Sequence, residues 1–165
     1  NCPEAYIKVA GISVLGVNGI KSRIKISAYG KYLRRLILKN RLEGKVRVLG
    51  NLSAEEMKRE YLSAQIFVCP SAVENSPNSV AEGQLLGVPV AASRTGGIPD
   101  VVKDGVSGLL FEKGNIHELA ACVSRILTDK QLAKELSASE RETAAKLYNG
   151  ENNYQKLIEI YQSIE

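Results

Sequence analysis

The chain has 165 residues, 44% of them hydrophobic, and a formal net charge of +4. That length supports one sizeable domain with a true core, and its apolar runs fall well short of the ~20 residues that a bilayer-crossing helix needs. The mild positive charge suits anionic ligands or an anionic membrane surface. With aromatics at 5% and no contiguous basic block, it argues against a nucleic-acid binder.

Strand-like and helical patterns then alternate along the chain. Ala5 to Val17 carries apolar residues at helical spacing, and Arg23 to Ala28 alternates like a strand. Tyr29 to Leu42 is amphipathic, with Tyr32, Leu33, Leu36 and Ile37 on one face, and Gly44 is placed to close it. Val46 to Leu49 reads as a short strand. Ser53-Ala-Glu-Glu56 is a capping-box pattern that starts a helix running to about Ser63. Further strands are expected at Ile66–Cys69, Val88–Ala92 and Gly108–Phe111. Helices are expected at Ile116–Leu127, Lys130–Tyr148 and Glu151–Ile164, the last with Tyr154, Leu157, Ile158 and Tyr161 along its apolar stripe.

This alternation predicts a Rossmann-like α/β fold: a parallel sheet, right-handed crossovers and helices on both faces. A helical start implies that the first strand is missing. The long helices after the last strand are expected to pack back across a single domain over residues 1–165. Cys2, Cys69 and Cys122 are too far apart for a disulfide framework or a zinc pattern. Cys69 and Cys122 fall in apolar stretches and are expected in the core, with a reducing cytoplasm as the default location. His117, the sole histidine, sits in the polar opening of a helix and reads as a surface residue.

The loops that follow parallel strands gather at one sheet edge, where open α/β folds bind ligands. Glu74 and Glu82 flank Asn75-Ser-Pro-Asn-Ser-Val-Ala81 at such an edge. Pro77 and Asn78 favour a turn, so a helix should begin at Ser79, with backbone amides free to meet phosphate. Carboxylates accept hydroxyl groups well, so carboxylates beside a helix opening suit a sugar nucleotide. The plainer alternatives are that Glu82 only caps the helix in a Ser79-Val-Ala-Glu82 box, that Glu74 is a solvated loop residue, and that Gly96-Gly97 only makes a turn.

From about Ile24 to the C-terminus, and specifically in its centre from Pro70 to Leu110, the chain resembles the nucleotide-binding C-terminal domain of glycosyltransferase family 4, of the GT-B fold. The resemblance rests on Pro70-Ser71, on Glu74 and Glu82, and on Gly87-Val-Pro-Val90. It continues through Gly96-Gly-Ile-Pro-Asp100 and Asp104-Gly-Val-Ser-Gly-Leu-Leu110. It implies that Glu74 binds donor-sugar hydroxyls beside the reacting carbon and that Glu82 binds the ribose. Ser76, Pro77, Asn78, Ser79 and Val80 would hold the phosphates through their backbone. Leu49, Gly50, Asn51 and Leu52 would hold the base.

The resemblance further implies a retaining transferase that needs neither metal nor cofactor. Its donor would be a nucleotide-diphosphate sugar and its acceptor a polysaccharide or glycolipid precursor. The setting would be the bacterial cytoplasm, with peripheral contact at the inner membrane face through the full-length protein. The chain departs from the pattern at Glu74-Asn-Ser-Pro-Asn78, where many members carry Glu-Gly-Phe-Gly, and mildly at Glu82-Gly83. The Arg–Lys pair expected after the first strand is not identifiable, and the acceptor-binding N-terminal domain is absent, so the isolated chain is expected to be inactive. A nucleotide-sugar epimerase and a non-enzymatic interaction module of the same fold remain alternatives.

Overall fold

The computed structural model describes residues 4–11 and 28–164, and the chain packs as two units, residues 1–59 and 60–165. In the first unit, β1 (Ile7–Ala10) and β2 (Val46–Gly50) form a parallel pair, with Ile7 opposite Val46 and Val9 opposite Val48. Of the helix expected over Ala5–Val17, Ile7–Ala10 is instead a strand, and residues 12–17 lie outside the described residues. Ile7 and Val9 are β-branched and stand two residues apart, which favours a pleated strand over a helix. The inference of a missing strand rested on that helical start and loses its basis. The strand expected from Arg23 lies outside the described residues, except for Ala28, which is the first residue of a helix.

That helix, α1 (Ala28–Lys39), ends three residues before its expected limit. Its cap is Arg41, not Gly44. Arg41 adopts φ 55°, Leu42 N donates to Ile37 O at 2.9 Å, and Arg41 N donates to Leu38 O at 3.2 Å. This is the Schellman arrangement with a non-glycine residue at its left-handed position. The expected capping box opens α2 (Ala54–Ser63): Ser53 N donates to Glu56 Oε2 at 2.8 Å, and Glu56 N donates to Ser53 Oγ at 3.3 Å.

The second unit is built on β3 (Phe67–Cys69), β4 (Val90–Ser93) and β5 (Leu109–Phe111), all parallel in the order β3-β4-β5. Its helices are α3 (Asn78–Leu86), the short α4 (Ile98–Val101), α5 (Ile116–Thr128), α6 (Lys130–Leu147) and α7 (Gly150–Gln162). Side chains alternate across a strand, and here the alternation makes two cores. Cys69, Val90, Ala92 and Leu110 pack with Val80 of α3 and with Ile98 and Val102 on one face. Ala91, Leu109 and Phe111 pack with Ile126 of α5 and Leu136 of α6 on the other. The α/β class and the helices on both faces are as the pattern requires.

Cys69 is buried and Cys122 half-buried; Cys2 lies outside the described residues. His117 is exposed in the first turn of α5, behind an Asn115 side chain that caps the helix. The helical tail behaves in two ways. α6 docks on the end of α3: Ser137 Oγ donates to Gly87 O at 2.7 Å, and Arg141 donates to Leu86 O at 3.1 Å. α7 buries no residue: of its expected apolar stripe, Tyr154, Leu157 and Tyr161 are exposed and Ile158 is half-buried. Among the described residues, no helix is long and apolar enough to cross a membrane.

Candidate functional site

The loops after β3 and β4 emerge at the same edge of the second unit's sheet, because the two strands are parallel neighbours. They are fastened together. Ser93 Oγ donates to Ser71 O at 2.6 Å, and Thr95 Oγ1 donates to Ala72 O at 3.3 Å. Gly96 and Gly97 lie directly against the loop that carries Glu74. A Cβ at Gly96 would collide with Glu74 O, and one at Gly97 with Asn75 O. Gly96 also adopts φ 53°, in the left-handed region. The glycine pair is therefore more than a turn: its missing side chains let one loop seat the other. Glu74 ends up half-buried between exposed Val73 and Asn75, and Pro77 buried between exposed Ser76 and Asn78.

α3 begins at Asn78 behind Pro77, and no side chain caps it. The Ser79–Glu82 capping box does not form. Glu82 is exposed and lies by the Tyr61 hydroxyl, which donates to Ser79 O at 2.9 Å. Burial of Tyr61 and the nearby negative charge of Glu82 together push the phenol well above its ordinary pKa, so it stays a donor. Tyr61 also packs edge-on against Phe67, with ring centroids 5.3 Å apart. It thereby ties the mouth of α3 to α2 and β3.

The amides at this mouth divide into two groups. Asn78 N donates to Ser76 O at 2.9 Å, and Val80 N and Ala81 N both turn to Pro77 O, at 2.9 and 3.1 Å. Pro77 has no N–H to give. Among the described residues, the amides of Asn75, Ser76, Ser79, Gly96 and Gly97 have no protein acceptor. Of the residues expected to meet phosphate, Ser76 to Val80, only Ser76 and Ser79 thus keep an amide without a protein acceptor among the described residues. Arg94 is the one cation in these two loops, and its guanidinium is taken up by Asp104 at 2.9 Å and Glu112 at 3.0 Å. Asp104 also accepts Leu110 N at 2.9 Å, which gives the Asp104–Leu110 motif a structural role.

In the first unit, the loop after β2 turns at Gly50, which has φ 75° and whose carbonyl accepts Gly11 N at 2.8 Å. Leu49 and Leu52 are half-buried, and Asn51 is exposed beside them. No group of three or more potential metal ligands occurs among the described residues.

Residues 3–143 match the family model described as Glycosyl transferases group 1. The chain belongs to this family. Its relatives include an uncharacterized glycosyltransferase of Methanocaldococcus jannaschii, 26% identical over 97% of this chain and 46% of the relative. A D-inositol 3-phosphate glycosyltransferase of Corynebacterium urealyticum is 32% identical over 72% of this chain and 28% of the relative. The chain therefore spans less than half the length of these relatives. Among solved structures, Anabaena HepE in complex with UDP superposes with a TM-score of 0.83, at 22% identity, over 98% of this chain and 42% of that one. Sucrose-phosphate synthase from Thermosynechococcus elongatus gives 0.74 at 27% identity, over 86% of this chain and 36% of that one.

Sequence reasoning missed Tyr61, Ser93 and Thr95, the residues that hold the two loops and the helix mouth in place. Ser93 and Thr95 stand at a strand end, where a hydroxyl can reach a neighbouring loop. That is the signal that was available for them.

Proposed function

We propose that this chain is the donor-binding half of a retaining, metal-independent glycosyltransferase of family 4, which moves a sugar from a nucleotide sugar to a polysaccharide or glycolipid precursor. The observation that carries the reading is the seating of the Glu74 loop on the Gly96-Gly97 turn, with five unpartnered amides around it. Glu74 accepts hydroxyl groups of the donor sugar beside the anomeric carbon, and Glu82, in the first turns of α3, accepts the ribose hydroxyls. The amides of Ser76 and Ser79, with those of Asn75, Gly96 and Gly97, take the diphosphate. The positive end of the α3 dipole adds to their pull on charge that grows as the diphosphate leaves. The resemblance assigns the base to Leu49, Gly50, Asn51 and Leu52, largely through backbone groups. The HepE structures hold UDP and UDP-glucose, which supports a nucleoside-diphosphate sugar as the ligand class.

The two loops bring amides but no free cation. The resemblance assigns neutralisation of the leaving group to an Arg–Lys pair after the first strand, which is not identifiable in this sequence, and transfer also needs the acceptor domain. The isolated chain is thus a weak nucleotide binder without transfer activity, at work in the cytoplasm. Titration with UDP at millimolar concentration, followed by amide NMR, should shift the signals of residues 74–76, 78–79 and 96–97. A folded chain with no shifts at these positions would refute the site. In the full-length protein, Glu74→Gln should lower kcat by about 10- to 100-fold, the loss of one hydrogen bond to a charged group. An interaction module would be indifferent to the substitution.

A further inference from the structure

The basic residues of this chain are dispersed in sequence but not evenly shared. Residues 1–59 hold thirteen Lys and Arg against four Asp and Glu, a net charge of +9, whereas residues 60–165 hold nine against fourteen, a net charge of −5. A mild total charge conceals this separation. Much of the excess collects on α1. Lys31, Arg34, Arg35 and Lys39 are all exposed, and none of them makes an ion pair or hydrogen bond among the described residues. No acidic residue lies within the helix.

At 3.6 residues per turn, Arg34, Leu38, Lys31, Arg35, Lys39 and Tyr32 fall in one arc of roughly 160°. Gly30, Leu33 and Ile37, buried or half-buried, lie on the opposite side and face the protein. The outer arc is not simply charged. Tyr32 is 56% exposed and Leu38 51% exposed within it; Tyr29, 61% exposed, lies about 60° beyond Tyr32 around the helix, past half-buried Leu36, with its ring 6.4 Å from that of Tyr32.

We propose that the outer face of α1 is a docking surface for an anionic phospholipid bilayer, built from four unpaired cations, interleaved Tyr32 and Leu38, and flanking Tyr29. Charge complementarity selects a negative partner. The apolar and phenolic side chains select a bilayer interface over a polyanion in water, because tyrosine rings rest at headgroup depth while the cations stay with the phosphates. A helix lying flat this way needs no spanning segment. The catalytic loops play no part in the argument, so the inference stands apart from the donor-site reading.

Flotation of the 165-residue chain with vesicles tests it. Vesicles of phosphatidylcholine containing phosphatidylglycerol should carry the protein, vesicles of phosphatidylcholine alone should not, and added salt should weaken binding. Each neutralised cation should lower the partition coefficient about fivefold, which corresponds to about 1 kcal/mol. Arg34→Gln with Arg35→Gln should therefore cost about 25-fold while leaving the circular dichroism and melting curve unchanged. Tyr32→Ser with Leu38→Ser should weaken the binding that persists at high salt. Equal binding to both vesicle types would overturn the proposal, as would indifference to the arginine pair. Binding to RNA with no vesicle binding would overturn it too, and would assign the face to nucleic acid.

Discussion

Single residues carry two sharply different glycine requirements. Gly96 and Gly105 both adopt positive φ, 53° and 74°. An added Cβ at Gly105 meets nothing within 4 Å, whereas at Gly96 it meets the Glu74 carbonyl. Gly105→Ala should therefore cost only the left-handed strain, about 1–2 kcal/mol. Gly96→Ala should cost clearly more, and it should displace the Glu74 loop. Urea unfolding separates the two in stability, and UDP titration separates them in binding: Gly105→Ala keeps whatever affinity the wild type has, and Gly96→Ala loses it. Equal costs would mean that the glycine loop does not seat its neighbour. Arg41 presents the reverse case, a side chain where glycine is preferred. Arg41→Gly should stabilise the first unit by about 0.5–1 kcal/mol, read as a higher urea midpoint at unchanged slope.

Among the elements, α6 contributes a group that no pattern announced. Glu140 is fully buried; its Oε1 accepts Val90 N at 2.9 Å, and its Oε2 has no partner. It satisfies the first amide of the central strand from a helix fifty residues away in sequence, at the price of a buried carboxyl. Burial raises its pKa from 4.5 to about 8, against the lowering effect of the Val90 hydrogen bond. The folded chain thus holds this proton through a window in which the unfolded chain has released it. The contribution to stability is complete below the ordinary carboxylate pKa and is lost as pH rises towards 8. The slope approaches roughly 1.4 kcal/mol per pH unit. Glu140→Gln keeps the carbonyl acceptor and removes the titration. Its unfolding free energy should stay flatter than the wild type's between about pH 5 and about pH 8, as chemical denaturation at several pH values would show. Parallel curves would place the proton elsewhere.

Glu140 also shows where sequence reading stops. The strands β3, β4 and β5 were legible because their apolar runs are bounded by Pro, Gly and Ser, and α2 and α5 because their caps are local. The neighbourhood of Glu74 was legible because strand, loop and helix follow each other in sequence. Features made by distant residues were not: Glu140 on Val90, Tyr61 on Ser79, and Ser93 on Ser71. Ile7–Ala10 misled because so short an apolar stretch satisfies both helical and strand spacing.

At the scale of the whole molecule, the two units differ in what holds them, and the last helix belongs energetically to neither core. The second unit encloses a fully buried central strand between two apolar clusters, and α6 is pinned to it by Glu140, Ser137 and Arg141. α7 has a local Asn149 cap and an apolar stripe, but Tyr154 and Tyr161 are 57% and 65% exposed and none of its residues is buried. A helix that buries nothing returns little for the order it imposes. Ending the chain after Asn149 should therefore move the melting temperature by less than about 3 °C, the shift expected for a change under about 1 kcal/mol. It should also lower the binding of a hydrophobic dye, since the exposed stripe is removed. A fall of about 10 °C or more would show that α7 packs in solution against something that stabilises the folded chain, because only buried area of that kind could supply several kcal/mol.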